Sequence, residues 1–402
     1  MARRTENPFL SGNFAPVADE TTITGLRVEG TVPPYLAGHY LRIGPNPIGN
    51  APEPYDWALG DGMVHAIALY AGRAVTYRNR WVKTEAASTR LGTEPVPGPR
   101  RGGADTSNTN VIAFGGRILS LGDDSLPYEL TIGLDTIRRV DLAGGARTIG
   151  ARPKTDPVTG ELHVLASTDG PPQLHQVVSA PARPTSRRTL SPPGALRIRD
   201  LAVTHRHIAF FGRGIVGLAA RDGDSPVRWI ETGTDQDVVP ITAHDDDEAA
   251  CVHLAAPALE RWTLDRKKGV VHQEVIDEAA HSSGCSMTPR VGARPRHLYT
   301  VAGGSMPSSG TTIHKHDLLA GTRQTRDFGP ARHPGEFLFV VDPERHDHDD
   351  GGWLVGLVHD DVSDRDALLV LDAEDLDRPA AATVHVPRRI PYGLHGLWIP
   401  TT

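Results

Sequence analysis

Histidine is the residue of this chain with the most varied chemistry, and 19 of the 402 residues are histidines. His314 and His316 alternate along a strand-like run, so both imidazoles would face the same side of a sheet. A zinc site needs three or four ligands, and such a pair supplies only two. The stretch 346–350 (HDHDD) has the composition of a metal site but is also typical of a solvated turn. We therefore interpret these histidines as ordinary strand and loop residues.

Nucleophilic and phosphate-binding chemistry has weaker signals. The only cysteines are Cys251 and Cys285, which are too few for a disulfide framework or a thiolate metal cage. Cys285 follows His281 by four positions, but no third residue in the pattern would orient the imidazole of a catalytic pair. The glycine-containing stretch 60–63 (GDGM) does not match a phosphate-binding loop.

The apolar segments predict strands rather than helices. Runs rich in β-branched residues recur at intervals of roughly 43 to 58 residues, which overlap the repeat lengths of β-propellers. Turn residues such as Ala71-Gly72 and Gly115-Gly116 separate neighbouring runs, where a tight hairpin needs positive φ. We expect an all-β fold of one domain, residues 1–402, with seven blades. The runs are centred near Leu69, Ile118, Leu165, Ala209, Val252, Tyr299 and Leu357.

Four residues hold similar positions ahead of four successive runs. Arg152, Arg199, Val239 and Met287 lie about 10 to 13 residues before the centres of these runs. Equivalent positions of successive blades converge on the channel of a propeller. We therefore expect these side chains at the propeller axis.

Composition excludes several classes of protein. The chain is 39% hydrophobic and 23% charged, with a formal net charge of -7. The 42 basic residues form no basic stripe, so nucleic acid is not expected as a partner. The first residues, MARRTENP, precede no apolar run of signal-peptide length, and no window approaches the roughly 18 apolar residues of a membrane span. These features favour a cytoplasmic protein.

Several ordered motifs resemble those of the carotenoid cleavage oxygenases, a family that includes lignostilbene dioxygenases and the retinoid isomerase of the eye. The similarity extends over nearly the whole chain. Its motifs are NPFLSGNFAPV at 7–17, RIGPNP at 42–47, GDGMVH at 60–65, YRNRWV at 77–82, PKTDPVTGEL at 153–162, DLAVT at 200–204 and GLWIP at 396–400.

The resemblance implies a seven-bladed β-propeller with Fe(II) on its axis, under a cap of loops and helices that covers an apolar substrate tunnel. In the family, four histidines hold the iron and three glutamates form a second shell. Matching the motifs places the first three histidines at Arg152, Arg199 and Val239, and the fourth at His395. The glutamates fall at Asp123, Met287 and Glu336. One histidine and one glutamate are therefore retained.

This pattern of replacements has an electrostatic logic. Losing Fe(II) removes two positive charges, and Arg152 with Arg199 would restore two. Asp123 and Glu336 could then pair with the arginines through bidentate hydrogen bonds. Such a network could simply hold the axis closed, because buried charges must be paired. Alternatively, one arginine could bind an oxyanion of a substrate while His395 and a carboxylate transfer a proton.

We expect a metal-independent, non-oxidative enzyme, an isomerase, cyclase or lyase, that acts on a hydrophobic conjugated small molecule in specialised metabolism. No cofactor is expected, because the family's iron ligands are largely absent. The substrate would contact Val239, Met287 and Asp200. Two alternatives stay open: a carrier protein for an apolar ligand, and a residual iron-dependent dioxygenase. Peripheral contact with a membrane for substrate uptake also stays open.

Overall fold

The structure is a computed structural model that describes residues 7–51, 54–101, 105–123, 125–156, 158–168, 174–180, 183–194, 196–221, 225–247, 249–255, 257–285, 294–303 and 310–401. The strands are, in chain order, β1 Thr21–Thr24, β2 Arg27–Gly30, β3 Gly38–Pro45, β4 Gly62–Tyr70, β5 Arg73–Trp81, β6 Asn110–Phe114, β7 Arg117–Leu121, β8 Tyr128–Leu130, β9 Thr136–Arg139, β10 Ala146–Ile149, β11 Lys154–Thr155, β12 Leu162–Thr168, β13 Leu174–Ala180, β14 Arg183–Leu190, β15 Ile198–Val203, β16 His207–Gly212, β17 Ile215–Ala220, β18 Arg228–Glu231, β19 Val239–Asp246, β20 Ala249–Ala255, β21 Leu259–Asp265, β22 Val270–Asp277, β23 His281–Cys285, β24 His297–Ala302, β25 Thr312–Asp317, β26 Thr322–Asp327, β27 Arg332–Val341, β28 Gly352–Asp360, β29 Arg365–Asp372, β30 Ala382–His385 and β31 Gly396–Pro400.

These strands form seven antiparallel sheets, the blades of a β-propeller, which confirms the predicted fold class. Each of the seven apolar runs supplies a strand to a different sheet. Four sheets follow the chain directly: β6 to β9, β15 to β18, β19 to β22 and β23 to β26. A fifth contains β10, β12, β13 and β14, with β11 paired to β12.

The other two sheets combine strands from both ends of the chain. One has the order β1-β5-β4-β3-β31, so β31 pairs with β3 and places Arg42 opposite Gly396. The other has the order β2-β30-β29-β28-β27. Pairing of the first strands with the last ones fixes the carboxyl-terminal segment firmly onto the amino-terminal sheets.

The strand sequences show why burial differs between strands. β28 (GWLVGLVHD) is almost continuously apolar and buried, as expected for a strand covered on both faces. β26 (TRQTRD) is polar and largely exposed, because it forms the outer edge of its sheet. Two of the predicted hairpins are also confirmed, since Ala71, Gly72, Gly115 and Gly116 all have positive φ.

Helix is scarce in the described residues. One α-helix, α1, spans Glu85–Leu91; the side chain of Thr84 caps its start and Gly92, in the left-handed region, ends it. Three 3-10 turns span Pro8–Leu10, Gly12–Phe14 and Trp57–Leu59.

The contacts group the chain into two compact units. The first comprises Met1–Val140, Gly310–Thr312 and Arg326–Thr402, and the second comprises Asp141–Ser309 and Ile313–Thr325. The prediction of one domain spanning 1–402 is therefore left as a prediction.

Within each unit the apolar cores lie between neighbouring sheets. In the first unit, Ile67 and Tyr77 pack with Leu368 and Val384. In the second unit, the largest fully buried side chain, Trp262, belongs to a cluster with members on β16, β17, β20 and β21. Burial of these apolar side chains stabilises each sheet against the next one.

Candidate active site

His395 lies on the loop that enters β31, next to β3. The N–H of Ile43 donates a hydrogen bond to the carbonyl of His395 at 3.1 Å, and the N–H of Leu394 donates to the carbonyl of Ile43 at 2.9 Å. The ladder between β3 and β31 begins at the next residue, Gly396. Main-chain bonds on both sides therefore fix the position from which the imidazole projects.

Glu336 holds the imidazole in one orientation. Its Oε1 lies 3.1 Å from Nδ1 of His395, and its Oε2 accepts a hydrogen bond from the N–H of Gly396 at 2.7 Å. Glu336 sits at an irregularity of β27, where the pairing with β28 shifts between Pro334 and Phe337. Such bulges re-aim a side chain from its regular direction.

The ionised state of Glu336 determines which ring nitrogen of His395 carries the proton. Burial raises the pKa of the Glu336 carboxyl, but the charge of His395 and the hydrogen bonds from its ring and from Gly396 outweigh burial, so the pKa is lowered. An ionised carboxylate only accepts hydrogen bonds, so Nδ1 of His395 must carry the proton. The opposite ring nitrogen, Nε2, then has a lone pair when the imidazole is neutral.

Arg42 is a functional candidate that the sequence reasoning missed. Its side chain is buried, its Nη2 donates to the carbonyl of Gly393 at 2.8 Å, and its charge also lowers the pKa of Glu336. A side-chain carbon on Gly335 would lie 2.0 Å from Nη1, and one on Gly393 would lie 2.8 Å from Nε. The two glycines make room for the guanidinium. A lone arginine within the apolar strand β3 was the available signal.

Arg152 and Asp200 belong to a second charged group. Nε of Arg152 lies 4.0 Å from Oδ2 of Asp200, and Nζ of Lys154 lies 3.4 Å from Oδ1. Lys154 also reaches the carbonyl of Pro240 at 3.5 Å. The carboxylate of Asp200 is almost fully buried, whereas Arg152 is 30% exposed. Asp200, predicted to contact substrate, is thus engaged with two cations.

Arg199 lies at an irregularity of β15. The pairing of β15 with β16 runs from Ile198 opposite Gly212 to Asp200 opposite Phe211, so Arg199 is the extra residue of a bulge. Its side chain is exposed and forms no ion pair with another described residue. A sequence pattern does not reveal a bulge, which changes the direction of the side chain without changing its position along the chain.

Asp123, Val239 and Met287 complete the set of predicted positions. Asp123 is exposed and has no ion pair within the described part of the chain. Val239 begins β19, is half-buried and pairs with Ala255. Met287 lies outside the described residues. The predicted network is corrected accordingly: Asp200 is the partner of Arg152, and His395 is the partner of Glu336.

The fold and the carboxylate-oriented histidine define a β-propeller protein with a candidate proton-transfer pair. A family model described as retinal pigment epithelial membrane protein matches residues 14–236 and 227–400. The chain belongs to the carotenoid cleavage oxygenases, a family of enzymes.

Individual relatives support this assignment. A carotenoid cleavage oxygenase of Mycobacterium tuberculosis is 33% identical over 508 aligned positions, which cover 100% of this chain and 99% of the relative. A probable chloroplastic carotenoid cleavage dioxygenase 4 of Arabidopsis thaliana is 29% identical, over 97% of this chain and 80% of its own length.

Solved structures agree in fold. Pseudomonas brassicacearum lignostilbene dioxygenase has a TM-score of 0.88 at 23% identity and covers 98% of this chain and 99% of its own. Cobalt-substituted apocarotenoid oxygenase of Synechocystis has a TM-score of 0.82 at 23% identity, covering 96% of this chain and 97% of its own. In the described residues of the present chain, no helix has the length and apolar character needed to cross a membrane.

Proposed function

We propose that this chain converts a hydrophobic, conjugated small molecule by metal-independent, non-oxidative chemistry, as an isomerase, cyclase or lyase. The observation that carries the proposal is the pair formed by His395 and Glu336, with 3.1 Å between Nδ1 and Oε1. A cytoplasmic location, and peripheral membrane contact for substrate uptake, belong to the same proposal.

His395 would move the proton. With Nδ1 bonded to Glu336, Nε2 is available to take a proton from one carbon of the substrate and return it to another. Glu336 is a positioning residue, because it fixes the ring and stabilises the imidazolium. The charge and hydrogen bond of His395, the N–H of Gly396 and, to a smaller extent, the charge of Arg42 lower the pKa of Glu336 against the opposing effect of burial.

The residues at the family's ligand positions support a reaction without iron. Fe(II) in proteins requires several nitrogen or carboxylate donors. The resemblance assigns three of the four histidine positions to Arg152, Arg199 and Val239, and neither guanidinium nor an isopropyl group offers a lone pair for a metal. His395 alone does not fit a four-histidine iron centre, so we assign no step of the reaction to iron.

Turnover assays with and without oxygen test the proposal. Chelator-treated protein would be incubated anaerobically with a hydroxystilbene, an apocarotenal and a carotene, and products would be separated by chromatography and weighed by mass spectrometry. We expect a product of unchanged mass, or fragments whose masses sum to that of the substrate. Oxygenated cleavage products that require air and added Fe(II) would overturn the proposal.

A matched pair of variants ties the activity to the site. His395→Ala should abolish turnover. His385→Ala is the matched control, because Nε2 of His385 lies 3.3 Å from Oε2 of a glutamate, Glu29. It should leave turnover unchanged, since His385 lies on β30 and not in the pair of His395 with Glu336. Equal activity in both variants would exclude His395 as the proton-transferring residue.

An iron-dependent dioxygenase is the second candidate. It is favoured by the 33% identity to a carotenoid cleavage oxygenase along the entire chain. Iron-dependent, oxygen-consuming cleavage that is lost in His395→Ala would establish it. Tight binding of the same compounds without any turnover would instead indicate a carrier protein.

A further inference from the structure

Two histidines and an aspartate lie close together near the connection between the sheet of β19 to β22 and the sheet of β23 to β26. Asp277 ends β22, His281 begins β23, and His316 lies on β25. Oδ2 of Asp277 is 3.8 Å from Nε2 of His281 and 3.8 Å from Nδ1 of His316. One potential ligand atom from each residue lies within 4.8 Å of the other two.

His281 has unused bonding capacity at the centre of this group. Its side chain is fully buried, and neither ring nitrogen has a hydrogen-bond partner in the described residues. Buried polar atoms are normally paired, because an unpaired one costs free energy. The ring instead makes edge contacts with His316 and His314, with centroids 5.5 and 5.6 Å away.

Neighbouring groups orient the other two ligands. Oγ1 of Thr300 lies 3.0 Å from Nε2 of His316, which turns Nδ1 of that ring toward Asp277. The N–H of Ala279 donates to Oδ1 of Asp277 at 2.9 Å. Hydrogen bonds of this kind fix the ligands in known metal sites. Asp277 and His316 also line an open cleft, which gives access to solvent.

We propose that Asp277, His281 and His316 bind a divalent transition-metal ion of the zinc type, with the remaining coordination positions open toward the cleft. Two imidazoles and one carboxylate are a common three-ligand set for such ions. Donors in a tetrahedral zinc site lie about 3.3 Å apart, so each of the two distances from Oδ2 of Asp277 must shorten by roughly half an ångström. The site is independent of His395 and of the function proposed above.

The positive charge of Arg323 should oppose metal binding, and this provides a specific test. Nη1 of Arg323 donates to Oδ2 of Asp277 at 2.7 Å, the oxygen that the metal would use. Removing this cation should strengthen metal binding. A purely structural hydrogen-bond network would show no such gain.

The experiment uses full-length protein stripped with chelator and titrated with Co²⁺ and Zn²⁺. We expect about one equivalent of Co²⁺ with visible d–d absorption, displaced by Zn²⁺. His281→Gln and Asp277→Asn should weaken binding by roughly 100-fold or more, beyond the 10- to 100-fold typical of residues that only orient a ligand. Arg323→Met should bind more tightly than wild type.

Two matched controls locate the ion. His314→Gln should retain binding, because Nδ1 of His314 is 2.9 Å from the hydroxyl of Thr325 and the residue is not one of the three ligands. His395→Ala should also retain it. If wild-type protein shows no Co²⁺ absorption, or if Asp277→Asn and Arg323→Met both match wild type, the proposal is wrong. The wild-type spectrum decides the case even where a histidine variant does not fold.

Discussion

The guanidinium of Arg42 occupies the space where a side chain on Gly335 would begin, because a Cβ on Gly335 would lie only 2.0 Å from Nη1 of the arginine. Gly335→Ala should therefore displace the guanidinium and lower the free energy of unfolding by about 1 to 3 kcal/mol, as expected for overpacking. Chemical denaturation measures this loss.

Gly150→Ala is the matched control for that substitution. Its new Cβ would meet the carbonyl oxygen of Leu165 at 3.5 Å, an ordinary contact. We expect a change within about 0.5 kcal/mol. If the two alanine variants are equally stable, the close packing of Arg42 against Gly335 does not exist in solution.

Glu336→Gln should change the tautomer of His395. The amide keeps the shape of the side chain but no longer presents an ionised acceptor to Nδ1. Side-chain nitrogen NMR of ¹⁵N-histidine protein, assigned with His395→Ala, should show the Nδ1–H form in wild type and a mixture in the variant. Turnover should fall by about 100-fold or more if His395 is the general base.

Glu29→Gln is the control, because Glu29 faces His385 instead. It should alter neither the His395 resonances nor turnover. An unchanged His395 tautomer in Glu336→Gln would contradict the positioning role of the carboxylate.

Lys154 and Arg152 both form ion pairs with Asp200, so both should contribute to stabilising its buried carboxylate. Lys154 is closer than Arg152, at 3.4 Å against 4.0 Å, so Lys154→Met should cost more stability than Arg152→Met. The double variant should cost about 3 to 5 kcal/mol, because the buried carboxylate then loses both of its ion-pair partners among the described residues. Adding Asp200→Asn should recover part of this loss. If Arg152→Met alone costs as much as the double variant, Lys154 is not a partner.

Buried histidines should make the protein acid-sensitive. Burial, with a smaller effect of nearby positive charges, lowers the pKa of His65 and His253 to about 3 and that of His163 to about 4. In the unfolded chain these residues titrate near 6.5, so below that pH the unfolded state binds more protons than the folded one. The free energy of unfolding should fall by about 2 kcal/mol per histidine between about pH 7.5 and pH 5.

Denaturation with chelator present at both pH values measures this dependence. Carboxylates with lowered pKa lose their contribution mainly below about pH 5, so they have little effect within the window. His163→Gln should reduce the pH dependence, whereas His346→Gln, at a side chain that is 65% exposed, should not change it. A pH dependence that is the same in His163→Gln as in wild type would contradict the prediction.

The repeated spacing of apolar runs was sufficient to predict seven blades, because each run becomes a buried strand of a different sheet. It could not predict that β31 would join β3, a pairing between residues more than 350 positions apart that depends on closure of the fold. That pairing also brings Arg42 beside Gly393 and Glu336. The sequence contained Arg42 in a recognised motif but no sign of its partners.

The site was predicted in part. His395 and Glu336 do lie together, whereas Arg152 pairs with Asp200 and Arg199 forms no ion pair with another described residue. Asp200 is buried whereas its neighbour Arg199 is exposed, and the bulge at Arg199 interrupts the regular ladder in a way that the sequence pattern does not reveal. Likewise, His316 looked like an ordinary strand histidine because its potential co-ligands, Asp277 and His281, lie on other strands.

The bulge at Arg199 also affects how well this position should tolerate amino-acid substitutions. An exposed side chain outside the ladder pairs fills no core volume, so most exchanges there should alter stability by about 0.5 kcal/mol or less. The fold is thus insensitive to the identity of a residue that the resemblance matches to an iron ligand. Substitutions here should leave the fold intact, which makes the position a natural starting point for laboratory evolution of new activities.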